Sequence, residues 1–135
     1  MDSDPGRSHD ARARALAERL VAAIGAQDAS ALSAVFTDDV QFRALTPPGL
    51  RERSGAYETA SLIAAWYADS VVLEHVDTWA GDVGDRVHIA YRFAGVEEGE
   101  PFVVQQHLFC SLRDGKIERA DLLCSGFRPP QDPMA

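Results

Sequence analysis

One stretch constrains this chain more than any other: Val103 to Cys124, VVQQHLFCSLRDGKIERADLLC. Two runs of strand-forming residues flank Arg113-Asp114-Gly115, so the segment predicts a long β-hairpin. Its turn can be built in two ways. A two-residue turn on Asp114-Gly115 pairs Leu112 with Ile117, Cys110 with Arg119 and Leu108 with Asp121, mixing apolar and charged side chains on each face. A three-residue loop with Gly115 as a bulge pairs Leu112 with Lys116. In that register Val104, Gln106, Leu108 and Cys110 share a face with Glu118, Ala120, Leu122 and Cys124. A slip of one residue moves a strand's whole apolar set to the other face, so the cleaner segregation selects the bulged loop and an even-numbered interior face.

The same register bears on the cysteines. Cys110 lies opposite Glu118, and Cys124 is six residues further on, roughly 20 Å away at a strand's rise per residue, too far for a disulfide. Both are read as reduced core thiols, and the strands offer too few further ligands for a metal site.

At 135 residues the chain is one domain, long enough to bury a sizeable core. A net charge of −8 excludes nucleic acid as the expected partner, because phosphates need clustered Lys and Arg. No apolar run approaches a membrane span, and the N-terminus lacks the apolar segment of a signal peptide. A cytoplasmic location is therefore expected, with no membrane partner.

In chain order, residues 1–9 read as a disordered leader. Asp10 caps a helix over roughly 11–25, with Leu16, Leu20 and Ile24 on one stripe and Gly25 at its end. Asp28 caps a second, short helix carrying Leu32, Val35 and Phe36, closed by Thr37-Asp38-Asp39. Residues 40–44 form a short strand, and Thr46-Pro47-Pro48-Gly49 is a loop. Ser54 caps a third helix over about 56–68, where Thr59, Leu62, Ile63, Trp66 and Tyr67 recur at helical spacing. Long strands follow over about 70–79, 84–94, 102–112 and 116–126. Residues 128–135 read as a flexible, proline-rich tail. Helices first and a strand meander afterwards mean an α+β fold, a curved and mainly antiparallel sheet wrapped around three N-terminal helices. Such long strands curl, and the curl leaves a cone-shaped pocket, in the manner of an α+β barrel.

Several stretches of this order are familiar. Val35-Phe36-Thr37-Asp38-Asp39-Val40, Arg53-Ser54-Gly55 with Ile63 to Ser70, and Phe109 to Ile117 resemble the nuclear transport factor two-like superfamily. Its ketosteroid-isomerase and SnoaL-type polyketide-cyclase branches are the nearest in pattern, over about residues 10–127. The resemblance implies a conical pocket for a hydrophobic small molecule, no cofactor, and a homodimer. It also locates the isomerases' catalytic positions: their carboxylate base falls at Ala44, their oxyanion tyrosine at Leu20 and its protonated-acid partner at Leu108. Tyr67 matches a supporting tyrosine. The Glu-His-Trp-Asp run that often follows Gly-Lys-Ile in the cyclases is here Glu118-Arg119-Ala120-Asp121. No Asp-Arg-Asp set of an epoxide hydrolase of this fold is found.

The candidate chemistry rests on few residues. Tyr67 and Tyr91 carry hydroxyls toward an apolar interior, where each needs a partner, in the core or on a ligand. Gln106 faces inward among apolar neighbours and needs one too. His75 and Asp77 alternate on one face of the first long strand and form a His–carboxylate couple suited to proton transfer if that face is concave; the opposite register turns Glu74, Val76 and Thr78 inward. Catalytic candidates are thus His75, Asp77 and Tyr67. Leu20, Phe42, Trp66, Tyr91, Gln106, Leu108 and Leu122 are the expected ligand-binding lining, and no metal is expected. Glu118 reads as a solvated rim residue. His88 and His107 fall on the convex face with Val103, Phe109, Ile117 and Leu123, an apolar set expected to form the dimer interface. Two functions follow: cofactor-independent isomerase or cyclase chemistry on a polyketide- or steroid-like substrate, or a non-catalytic ligand-binding or dimerising module.

Overall fold

The computed structural model describes residues 5–131, with side chains from residue 11 onward. Three helices precede or interrupt a six-stranded sheet: α1 (Pro5–Gly25), α2 (Ala29–Ser33), β1 (Phe36–Thr46), β2 (Gly49–Ser54), α3 (Ala56–Tyr67), β3 (Ser70–Val83), β4 (Arg86–Glu97), β5 (Glu100–Arg113) and β6 (Lys116–Cys124). The strand order is β2-β1-β6-β5-β4-β3. All pairs are antiparallel except β1 with β6. The α+β architecture expected from the sequence is present, as an open, mixed, curved sheet and not a closed barrel.

α1 buries Ala13, Leu16, Ala17, Leu20 and Ile24 against the sheet, the stripe its periodicity predicts. The alanines let the helix come close, and at its end Gly25 faces the Phe93 ring, which a Cβ there would approach at 3.5 Å. The helix starts at Pro5, upstream of the start expected at Asp10 and within the expected leader; residues 1–4 lie outside the described residues. In α2, the Asp28 side chain accepts from the Ala31 N–H, as a cap should. That helix is shorter than expected, and Val35 and Phe36 leave it. β1 accordingly begins at Phe36, not near residue 40. β2 was not foreseen: Pro47-Pro48 form a tight turn, and the chain returns as an edge strand paired with β1. Gly55, not Ser54, precedes α3, at a φ of 95°. Ser54 instead donates to the Gln41 amide across the β1–β2 pair, at 3.1 Å. The expected flexible tail begins in order, with Arg128 bridged to Val103 through both backbone groups at 2.8 and 2.9 Å. Residues 132–135 lie outside the described residues.

The β5–β6 hairpin differs from the sequence reading in its turn and agrees in its faces. Arg113 pairs with Lys116 and Leu112 with Ile117. The turn is therefore two residues long, with Asp114 at φ 54° and Gly115 at φ 78°. This is the twist-matched hairpin turn that Asp-Gly favours. A bulge then follows, because Ser111 pairs with Arg119 and Glu118 is left over. Beyond it Gln106, Leu108 and Cys110 stand opposite Cys124, Leu122 and Ala120. The even-numbered face is interior as expected, but the bulge achieves it two residues past the turn. Ile117 and Ala120 are both fully buried, so Ile117 belongs to the core and not to the convex face. Glu118 is half-buried and meets Arg113 at 3.3 Å.

A second bulge interrupts β3. His75 pairs with Phe93 and Asp77 with Arg92, and the register shifts between them. Leu73 and His75 thus lie on the concave side, and after Val76 so do Thr78, Ala80 and Asp82.

The convex face carries a transverse row of Leu50, Leu45, Leu123, His107, Ala90 and Trp79, one residue from each strand. Beside it, Asp121 binds Arg43 at 2.8 Å and Arg86 at 3.3 Å. His88 is stacked between Phe109 and His107, with ring centroids 4.7 and 5.2 Å away. Its Nε2 lies 3.0 Å from His107 Nδ1. One of these nitrogens holds the shared proton, so the contact requires a neutral pair or a single charge. Burial, and then the neighbouring His107, hold the His88 pKa below its ordinary 6.5. The native state therefore resists protonation there more than the unfolded chain does. Stability from this contact is present above about pH 6.5 and lost as the pH falls below it. The Asp39 carboxyl is lowered below its usual range by Arg113. At Asp121 burial pushes upward, yet Arg43 and Arg86 win and hold the carboxyl low. Both carboxylates release their stability only near pH 4 and below. Thermal melts should show Tm falling between pH 7.5 and 5.5, and His88→Phe should flatten that segment while leaving the loss below pH 4.

Candidate functional site

Adjacent strands deliver a polar row to the middle of the concave face. Thr78 of β3 pairs with Tyr91 of β4, Tyr91 with Gln106 of β5, and Gln106 with Cys124 of β6. Tyr67, the last residue of α3, reaches the same point from the helix layer. Its hydroxyl donates to Gln106 Oε1 at 3.0 Å, and the Tyr91 hydroxyl donates to the same oxygen at 2.6 Å. Gln106 Nε2 in turn donates to Cys124 Sγ at 3.3 Å. The amide oxygen uses both of its acceptor sites on phenols, which fixes the amide's orientation. Gln106 is wholly buried, and Tyr67 and Tyr91 are 2 and 1% exposed. Burial raises both phenol pKa values well above the ordinary 10, so both remain protonated donors at neutral pH. Burial likewise pushes the Cys110 thiol up to about 12, which leaves it unreactive.

The neighbouring row on the same face is apolar: Ala80, Ile89, Leu108, Leu122 and Ala44, ending at Arg51 on the edge strand. Leu20, Leu108, Leu122 and Phe42 pack tightly in the core. Leu20, Ala44 and Leu108, which the resemblance matched to the isomerases' catalytic positions, are wholly buried.

Open space lies at the end of the fold where β1 turns into β2 and the chain leaves β6. A cleft of about 560 Å³ is lined there by Pro47, Arg51, Trp66, Cys124, Phe127 and Arg128, with Thr46, Pro48, Glu97 and Gly126 completing it. Trp66 is half-buried, and its ring meets Phe42 at 6.4 Å. Phe127 packs edge-on against Tyr67 at 5.4 Å and tilted against Phe102 at 5.0 Å. Gly126 runs close under the prolines: a Cβ there would stand 2.7 Å from Pro47 Cγ. Cys124 and Phe127 are thus the layer between the cleft and the phenol–amide cluster.

The structure brings Tyr67, Tyr91 and Gln106 together, with Trp66 at the cleft above them. It separates His75 from Asp77. The bulge at Val76 puts His75 on the side of Phe93 and Asp77 on the side of Arg92, and both are exposed. His75 Nε2 hydrogen-bonds Thr78 Oγ1, and Asp77 accepts from the Thr78 N–H at 3.0 Å. Sequence reasoning missed Arg51, Phe127 and Arg128, because residues 50–54 were assigned to no element, the last strand was ended at 126 and the tail from 128 was read as flexible. The only available signal was Leu50-Arg51-Glu52-Arg53, a short alternating run after the prolines. Among the described residues there is no cluster of three or more His, Cys, Asp or Glu able to hold a metal. Nor is any described helix long and apolar enough to cross a membrane.

A family model described as a SnoaL-like domain matches residues 17–120. No curated protein sequence matches the chain. Among solved structures, a provisionally named polyketide cyclase from Xanthomonas campestris has a TM-score of 0.68 at 24% identity, over 85% of this chain and 91% of that one. An LEH-like epoxide hydrolase from M. tuberculosis has a TM-score of 0.66 at 18% identity, over 86% and 84%. A protein with a ketosteroid isomerase-like fold from Catenulispora acidiphila, solved with trimethylamine, has a TM-score of 0.66 at 21% identity, over 79% and 82%. These likenesses establish the fold.

Replacing Gln106 tests the cluster. Gln106→Leu strands both phenol hydroxyls and should cost about 1–3 kcal/mol for each. Adding Tyr67→Phe and Tyr91→Phe should restore most of that loss in urea unfolding. A triple variant no more stable than Gln106→Leu would show that the amide's packing, not its acceptor, matters.

Proposed function

The chain belongs to the SnoaL-like domain family, and from that premise we propose that it is a cytoplasmic, cofactor-independent pocket protein for a hydrophobic small molecule of polyketide or steroid type. The observation that carries this reading is the cleft walled by Trp66 and Phe127 directly above a buried, protonated phenol pair. An apolar cleft with a few convergent polar groups is the usual form of a small-molecule site. A flat ligand stacks on the two aromatic walls, while the Leu20, Phe42, Leu108 and Leu122 layer makes the floor rigid. For isomerase or cyclase chemistry the group to bet on is Tyr67. Phe127 covers it and Gln106 orients it, so a ligand that displaces the Phe127 ring meets a fixed hydroxyl, which donates to the ligand when its proton turns away from Gln106. Shape and orientation supply the rest. His75 and Asp77 have no part in this reading, since the bulge at Val76 faces them apart.

A second reading, a non-catalytic binding module, draws on a specific observation too. Both phenol protons are already engaged by Gln106, and among the described residues no carboxylate or imidazole is buried with them.

A β,γ-unsaturated steroid ketone separates the two. Calorimetry should show binding that Trp66→Ala weakens about tenfold or more, a loss of roughly 1.4 kcal/mol. Growth of conjugated-enone absorbance, abolished by Tyr67→Phe with binding retained, supports catalysis. Ligand bound and recovered unchanged supports the module. Binding indifferent to Trp66→Ala removes the cleft as the site.

We also propose a homodimer through the convex face. Leu45, Leu50, Leu123 and Trp79 are each 43–56% exposed and lie in one row, an apolar stripe of the kind that marks interfaces. Light scattering at micromolar concentration should give twice the chain mass, and Leu123→Glu should give the monomer. A monomeric wild-type protein would remove this proposal.

A further inference from the structure

Resting on the pocket reading above, we infer that the ligand is an amphipathic anion, an aromatic or fused-ring carboxylate, with Arg51 and Arg128 as its charge partners. Arg51 ends the inward row Ala80, Ile89, Leu108, Leu122, Ala44, where every other member is apolar. Pairing with Ala44 turns its side chain to the concave side, over the mouth of the fold. Arg128 is held at the same mouth by its two backbone bonds to Val103.

Neither guanidinium has a carboxylate within salt-bridge distance among the described residues. By contrast Arg43, Arg86 and Arg113 are all paired with acids. Among the described residues, the one hydrogen bond the Arg51 side chain makes is to the carbonyl of its neighbour Leu50, at 3.4 Å. An inward charge on an edge strand does discourage strand pairing, but that role needs no aromatic walls and no second arginine. Glu97 is the single acid lining the cleft, so two arginines and one glutamate leave it at +1 in a chain of net charge −8. A planar guanidinium pairs with carboxylate through two parallel N–H···O bonds, and the bond strengthens beside an apolar wall that excludes water. Trp66 and Phe127 take the ring, and the carboxylate points outward to Arg51 and Arg128.

Calorimetry with the full chain compares 2-naphthoate with 2-naphthamide, which share a ring and differ in charge. The carboxylate should bind at least about tenfold more tightly. Arg51→Gln with Arg128→Gln should erase that preference while leaving the amide's affinity unchanged. Arg53→Gln, the next inward arginine of β2 and outside the cleft, should leave the preference intact. Equal binding of the two probes overturns the inference and leaves the pocket reading standing. So does a preference that survives in the double variant, or that Arg53→Gln removes equally. Binding of neither probe overturns the inference, and the steroid-ketone titration then decides the pocket reading by itself.

Discussion

The pairing of β5 with β6 governs what the concave face holds. An Asp-Gly turn alone would oppose even-numbered residues of β5 to odd-numbered residues of β6, and charged side chains would enter the core. The extra residue at Glu118 shifts the register by one, so that Gln106, Leu108 and Cys110 meet Cys124, Leu122 and Ala120. Glu118 and Arg119 then lie on the outer side while Ile117 and Ala120 are both buried, as a bulge permits. With this register the strands on either side fall into line, giving one polar row through Tyr91 and Gln106 and one apolar row through Leu108 and Ala44.

That polar row shows how a buried amide is tolerated. Two phenols supply protons to one oxygen, and a thiol takes one N–H. The cluster converts three groups that would each be costly alone into a single oriented unit. It also ties the last turn of α3 to the middle of the sheet, which places Trp66, one residue earlier, at the cleft. The cleft itself is assembled from parts distant in sequence: the Pro47-Pro48 turn, the end of α3, and the chain after β6. Gly126 is what allows the last of these to pass beneath Pro47.

Much of this was legible in the residues. The apolar stripe of α1, the helical spacing of Thr59, Ile63 and Tyr67, and the period-two run of Val87, Ile89, Tyr91 and Phe93 each reported a buried face. Tyr67, Tyr91 and Gln106 were legible as inward polar groups because each sits at a core position of its own element. The His75–Asp77 couple was not, because alternation presumes an unbroken strand, and one unpaired residue reverses every side chain beyond it. β2 was hidden because paired prolines mark a break without saying whether the chain returns as a strand.

By itself the sequence determined the type of every element except β2, the α+β order and the apolar faces, since these follow from local periodicity and from the free energy of removing apolar surface from water. It also determined that three polar groups would need partners inside. Only the tertiary structure decided that the partners are one another, and that His75 and Asp77 face apart. Only it brought Arg51, Trp66, Phe127 and Arg128 around one cleft. Bulges and long-range strand pairing settle those outcomes, and they are fixed by which register buries the whole core at once.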